Sequence, residues 1–251
     1  MEHITIPFAI LLFAVEFAAY LVKGVAGFGD PLITNPCLSM TAMTNSQITP
    51  LILLGNWPAN LYISIKNRKA FSARQCLPMI ACIVLGIIPG VYCLKFGQSN
   101  ILKLGLGIVI IICGVEMLTR KPSATAKGNV VVMVLVSIAS GFFSALYGIG
   151  IFFVAYIERT GYVNRNQFRG QMCFIFLIDN TIRLLLYLYT GIYTLLILKM
   201  AVIGNLGAIC GLYVGNRIDK RLSEHAVHRF ITIVFIIAGV STLIKAVLAM
   251  L

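Results

Sequence analysis

The feature that most constrains this chain is a train of apolar runs, at about 4–22, 31–44, 47–65, 76–94, 101–118, 130–147, 149–157, 167–189, 194–215 and 226–249. The longest hydrophilic stretches between them are 66–75, 120–129, 158–167 and 216–229. None is long enough to set apart a soluble domain. A water-soluble domain carries about 25% charged residues; here 11% are charged and 59% hydrophobic, with mean hydropathy +0.95. Lipid is the solvent that fits such a chain, and each crossing needs about 20 mostly apolar residues. The expectation is an all-α polytopic protein, one membrane domain over 1–251 with 8–10 helical segments, multi-pass in a cell membrane.

The net charge of +12 does not point to nucleic acid. Its basic residues sit in short clusters between apolar runs, which in a membrane protein is a topology signal. Seven cysteines contain no CxxC pair, and His3, His225 and His228 form no cluster, so no metal or other cofactor is expected. The first run lacks a basic leader and contains Glu16, which argues against a cleaved signal peptide.

An internal repeat orders the rest. Displaced by 121 residues, Gly27-Phe28-Gly29 falls on Gly148-Ile149-Gly150 and Asn45 on Asn166; Gly86, Gly90 and Tyr92 fall on Gly207, Gly211 and Tyr213. Two homologous halves follow, 1–120 and 125–251. Charge then orients them. With eight plain crossings, basic residues divide evenly, nine to each side. If 4–44 and 130–157 are instead hairpins that return to their starting side, 14 fall inside and four outside, with Lys23 and Arg183 left in the membrane. The second arrangement obeys the positive-inside rule. It places both termini outside and makes the halves inverted repeats, each a broken or re-entrant hairpin plus three transmembrane helices. In that architecture a substrate site lies near the midplane at interrupted helices.

The first hairpin tip reads Lys23-Gly24-Val25-Ala26-Gly27-Phe28-Gly29-Asp30-Pro31, the second Ser144-Ala145-Leu146-Tyr147-Gly148-Ile149-Gly150. Glycines allow the turn and close backbone approach to a ligand. Asp30 before Pro31 reads as an N-cap followed by the first helical residue. A helix N-terminus there would offer N–H groups to an anion. Charges at membrane depth are costly and mark function. Lys23 could neutralise an anion, with Glu16 on the same helix face as its partner or as a proton carrier. Asp179 and Arg183 stand at ion-pair spacing. Asn56 and Asn60 in the first half, with Asp179 and Asn180 in the second, are further polar groups directed at the site. The expected substrate-binding set is therefore Lys23, Gly27, Gly29, Asp30, Asn56, Asn60, Tyr147, Gly148, Gly150, Asp179, Asn180 and Arg183. Glu16, Asp30 and Asp179 are the coupling candidates.

The glycine-rich tip followed by Pro-Leu, the basic loop after the next helix and the two-half layout resemble the sulfite exporter TauE/SafE family over nearly the whole chain. The resemblance implies a carrier of a sulfur-containing oxyanion, a sulfonate or another small organic anion across the cytoplasmic membrane of a bacterium. The chain departs from the family's glycine run by placing Asp30 in the first tip. With no P-loop, ATP hydrolysis is not expected. The expectation is thus a secondary anion transporter and no enzyme, with a small anion and the bilayer as partners and a homo-oligomer allowed. The rivals are an anion channel, a membrane-embedded enzyme and a scaffold subunit.

Overall fold

The computed structural model describes residues 4–69, 73–119, 129–159 and 165–218. The expected segment at 226–249, the basic stretch at 120–127 and all of 217–229 beyond Ile218 lie outside them. The described residues form nine helices and no strand: α1 (Ile6–Ala26), α2 (Asp30–Ser39), α3 (Asn45–Lys66), α4 (Ala73–Phe96), α5 (Ser99–Thr119), α6 (Val130–Tyr147), α7 (Ile151–Arg159), α8 (Arg165–Tyr189) and α9 (Leu195–Ile218). Each covers one expected apolar run. Five, α1, α4, α6, α8 and α9, are long and apolar enough to cross a membrane.

Local sequence sets the helix ends. Thr44 and Gln47 form a reciprocal capping box at the start of α3. Asn129 accepts the Val131 N–H at 2.9 Å to open α6. Gly27 (φ 88°) and Gly148 (φ 71°) end α1 and α6 in the left-handed region, each returning its N–H to the carbonyl four residues back. Gly29 (φ 104°) is the residue before α2. The expected N-cap is therefore shifted by one: Gly29 holds that place and Asp30 is the first helical residue, which frees its carboxylate for a different partner.

Two glycine seams bring backbones together, as packing in lipid favours. On α9, a Cβ at Gly207, Gly211 or Gly215 would overlap the Phe13, Phe17 or Leu21 carbonyl oxygen of α1. This ascending order makes α1 and α9 parallel. On α4, Gly86 and Gly90 lie against Ile138 and Phe142 of α6, and Gly141 lies against Ile83. Tyr193, just before α9, donates its hydroxyl to Pro50 O, and Asn205 lies over Gly55, so α3 and α9 also run in one direction. α3 carries Pro50, Pro58 and the asparagines Asn56 and Asn60, whose amides are tolerated because they are buried against neighbouring helices.

Candidate functional site

The site grows out of two helix breaks, one between α1 and α2 and one between α6 and α7. At the first tip, Lys23 leaves the last turn of α1 and donates to Asp30 Oδ1 at 3.0 Å and to Asn56 Oδ1, with the Tyr20 ring 5.5 Å from its ammonium. Lys23 and Asp30 are each only 1% exposed. A buried charge persists only when paired and hydrogen-bonded, and the pair lies on either side of the break that makes the tip. Lys23's partner is thus Asp30. The expected pairing with Glu16 is not formed; Glu16 is buried against Gly204 of α9.

At the second tip, Asp179 Oδ2 accepts from Ser144 Oγ (2.8 Å) and Arg183 Nε (3.0 Å). Arg183 also donates Nη1 to Ser144 O at 2.8 Å and Nη2 to Asn180 Oδ1. Ion pairing over four residues of α8 thereby docks that helix onto the end of α6.

A helix that stops inside a membrane leaves its last carbonyls without intrahelical donors. Here side chains from other elements supply them. Arg183 adds a second donor to Ser144 O, which Gly148 N–H already reaches, while Tyr187 donates to Ala145 O at 2.5 Å, Thr49 to Leu146 O at 2.8 Å and Asn35 Nδ2 to Tyr147 O at 2.6 Å. At the first tip, Arg169 Nη2 donates to Gly24 O at 3.0 Å and Cys173 Sγ to Gly27 O at 3.3 Å. The tips also meet each other, since a Cβ on Gly148 would stand 3.3 Å from Pro31. Trp57 Nε1 donates to Thr181 Oγ1 at 2.9 Å, joining α3 to α8 one residue beyond Asn56 and one beyond Asn180. No hydrogen bond or ion pair between described residues links the Lys23 cluster directly to the Arg183 cluster.

The structure therefore brings together Lys23, Asp30, Asn56 and Asn60 at one tip, and Asp179, Asn180 and Arg183 at the other. Asn60 donates to Asn56 Oδ1 at 3.5 Å. Four buried polar atoms in these clusters have no hydrogen-bond partner: Asp30 Oδ2, Asn60 Oδ1, Asp179 Oδ1 and Asn180 Nδ2. Gly27, Gly29 and Gly148 shape the turns. Tyr147 contributes a backbone carbonyl, while its hydroxyl lies toward Gly105 of α5. A Cβ on Gly150 would meet the rings of Phe153 and Phe176. No group of three or more potential metal ligands occurs among the described residues.

Sequence reasoning missed Asn35, Thr49, Arg169 and Tyr187. Arg169, whose place in a basic cluster counts only toward topology in the sequence, is 9% exposed and donates to Gly24 O at the first tip. The available signal was that each tip ends a helix at membrane depth and so requires donors from elsewhere; which donors they are depends on α3 and α8 crossing to the opposite hairpin.

Comparison with curated proteins and with solved structures gives no match. The family comparison does: the model of the sulfite exporter TauE/SafE family matches residues 12–242, nearly the whole chain, and this multi-pass membrane protein belongs to that family.

Proposed function

We propose that the chain is a secondary transporter for a small anion, first a sulfur-containing oxyanion or a sulfonate, in the bacterial cytoplasmic membrane. The substrate binds between the two hairpin tips. The observation that carries this reading is the pair of buried, charge-balanced clusters at the broken helices. Asn56 lies at the middle of α3 and Asp179 near the middle of α8, and both clusters retain polar atoms without partners.

The charge balance also suggests how binding proceeds. Lys23 already carries a carboxylate, so an arriving anion would share one cation with Asp30 in a dry site, which is strongly unfavourable. A proton on Asp30 leaves the Lys23 ammonium to the substrate. Anion and proton then travel together, with Asp179 and Glu16 as further coupling groups.

Alternation between two inverted halves fits several features. The bounds of α1 to α4, displaced by 121 residues, fall within three residues of those of α6 to α9. Along α3 the chain passes from the second tip (Thr49) to the first (Asn56); along α8 it passes from the first (Arg169) to the second (Arg183). The two glycine seams differ by one helical turn. By the repeat, Gly86 corresponds to Gly207 and Ile138 to Phe17, yet Gly86 packs at Ile138 while Gly211 packs at Phe17. One-turn ratchets of this kind are a known form of bistable motion. An exchange of registers between the halves would turn the site toward the opposite face.

The test is sulfonate and thiosulfate binding to purified protein as pH is varied, read by thermal shift and by proton uptake. Affinity should rise as pH falls. Asp30→Asn should keep the affinity and lose the pH dependence. Binding that ignores pH in the wild type, or no binding by well-folded Asp30→Asn, overturns the coupling. Saturable flux with counterflow in proteoliposomes separates a carrier from a channel.

A further inference from the structure

A cavity of about 480 Å³ opens between α3 and α9, with Tyr20, Gly55, Ala59, Ala208 and Leu212 among the residues of its wall and Tyr62, Ile209 and Tyr213 at its outer edge. The edge residues are half or more exposed, at 51%, 66% and 59%, so the groove faces the surrounding lipid. Because α3 and α9 are parallel, their C-terminal ends lie on one side. There Lys66 stands over the Tyr62 ring at 5.9 Å and Arg217 over the Tyr213 ring at 4.8 Å. Aromatic rings paired with cations at a helix end are the usual furnishing of a membrane–water interface.

The residues that line this groove in the first half have different counterparts in the second. The repeat matches Pro58, Ala59 and Tyr62 with Asp179, Asn180 and Arg183, and those three residues are buried in the second tip. Where one half places an ion pair, the other presents a mostly apolar wall that also holds Asn205, Asn216 and Arg217, with Lys66 just beyond Tyr62. Such a surface suits an amphiphile better than a hydrated anion.

We infer that this groove holds an acyl chain of an anionic glycerophospholipid whose phosphate is received by Lys66 and Arg217. Apolar contact supplies retention, and the two cations supply headgroup preference, because basic groups near a lipid surface attract anionic lipid. This site does not depend on the transport reading.

The full-length protein in neutral detergent, titrated with phosphatidylglycerol or phosphatidylcholine, tests the assignment by thermal shift and by native mass spectrometry. Wild type should prefer phosphatidylglycerol on the order of tenfold. Lys66→Gln with Arg217→Gln should bind both lipids equally, while Lys69→Gln, altering an exposed neighbour beyond α3, keeps the preference. Ala208→Leu, which fills the wall of the groove, should weaken retention of both lipids and serves as the test if the double variant does not fold. Equal binding of the two lipids by wild type, or an unchanged preference in the double variant, overturns the assignment. So does a short alkanesulfonate that displaces phosphatidylglycerol and binds more weakly to Ala208→Leu, since the groove would then be a substrate vestibule.

Discussion

Lys23 and Arg183 are both cations enclosed almost fully by protein, but their partners were unequally visible. Asp179 lies four residues before Arg183 on one uninterrupted helix, so spacing alone paired them. Glu16 and Asp30 both lie seven residues from Lys23, and helical periodicity favoured Glu16. The break at Gly27 and Gly29 delivers Asp30 instead. Lys23→Met should therefore cost about 3–5 kcal/mol by stranding the Asp30 carboxylate, and Lys23→Met with Asp30→Asn should recover most of it. Thermal unfolding in detergent reads the difference, and recovery by Glu16→Gln instead would contradict the assigned pair. The tip glycines should rank by surroundings. Gly29 has positive φ but its nearest neighbour for a Cβ is Val22 at 3.9 Å, so Gly29→Ala should cost only about 1–2 kcal/mol of backbone strain. Gly27→Ala should cost more, because its Cβ would also meet Arg169 Cγ at 2.9 Å.

At the scale of elements, apolar runs located the described helices, and the tips were legible from their glycines. Which helices lie side by side was not. The repeat aligned Gly86 with Gly207, a correct reading of residue identity, yet the seams use these glycines one turn apart. Packing register is settled when two helices slide to their closest approach, and a one-dimensional alignment carries no such term. If the offset reflects a ratchet, a disulfide between cysteines at 17 and 211 should form in the state described, and one between 17 and 207 should become available when the transporter turns over. Anion addition should change the ratio of the two cross-links. A ratio insensitive to every transported anion would make the offset a fixed structural difference. A leucine at Gly211 should prevent close packing of α9 on α1 and lower the yield of folded protein, because the Phe17 carbonyl cannot move aside as a flexible side chain could.

For the whole molecule, the charge count and the helix directions bear on the same question. α3 and α9 end on one side, as required if 66–75 and 216–229 share a face; eight plain crossings would put them on opposite faces. Cysteine labelling from either side should find both stretches inside and both termini outside, and an external 216–229 would remove the hairpin topology. The sequence by itself determined the solvent, the helices, the glycine tips and the buried charges, because each depends on composition or on spacing within one segment. Tertiary structure alone decided that Asp30 takes Lys23, that Asn35, Thr49, Arg169 and Tyr187 serve the helix ends at the breaks, and that a groove lies between α3 and α9. Those outcomes depend on which carbonyls lack donors and which helices pass close enough to supply them, and both are properties of the packed chain.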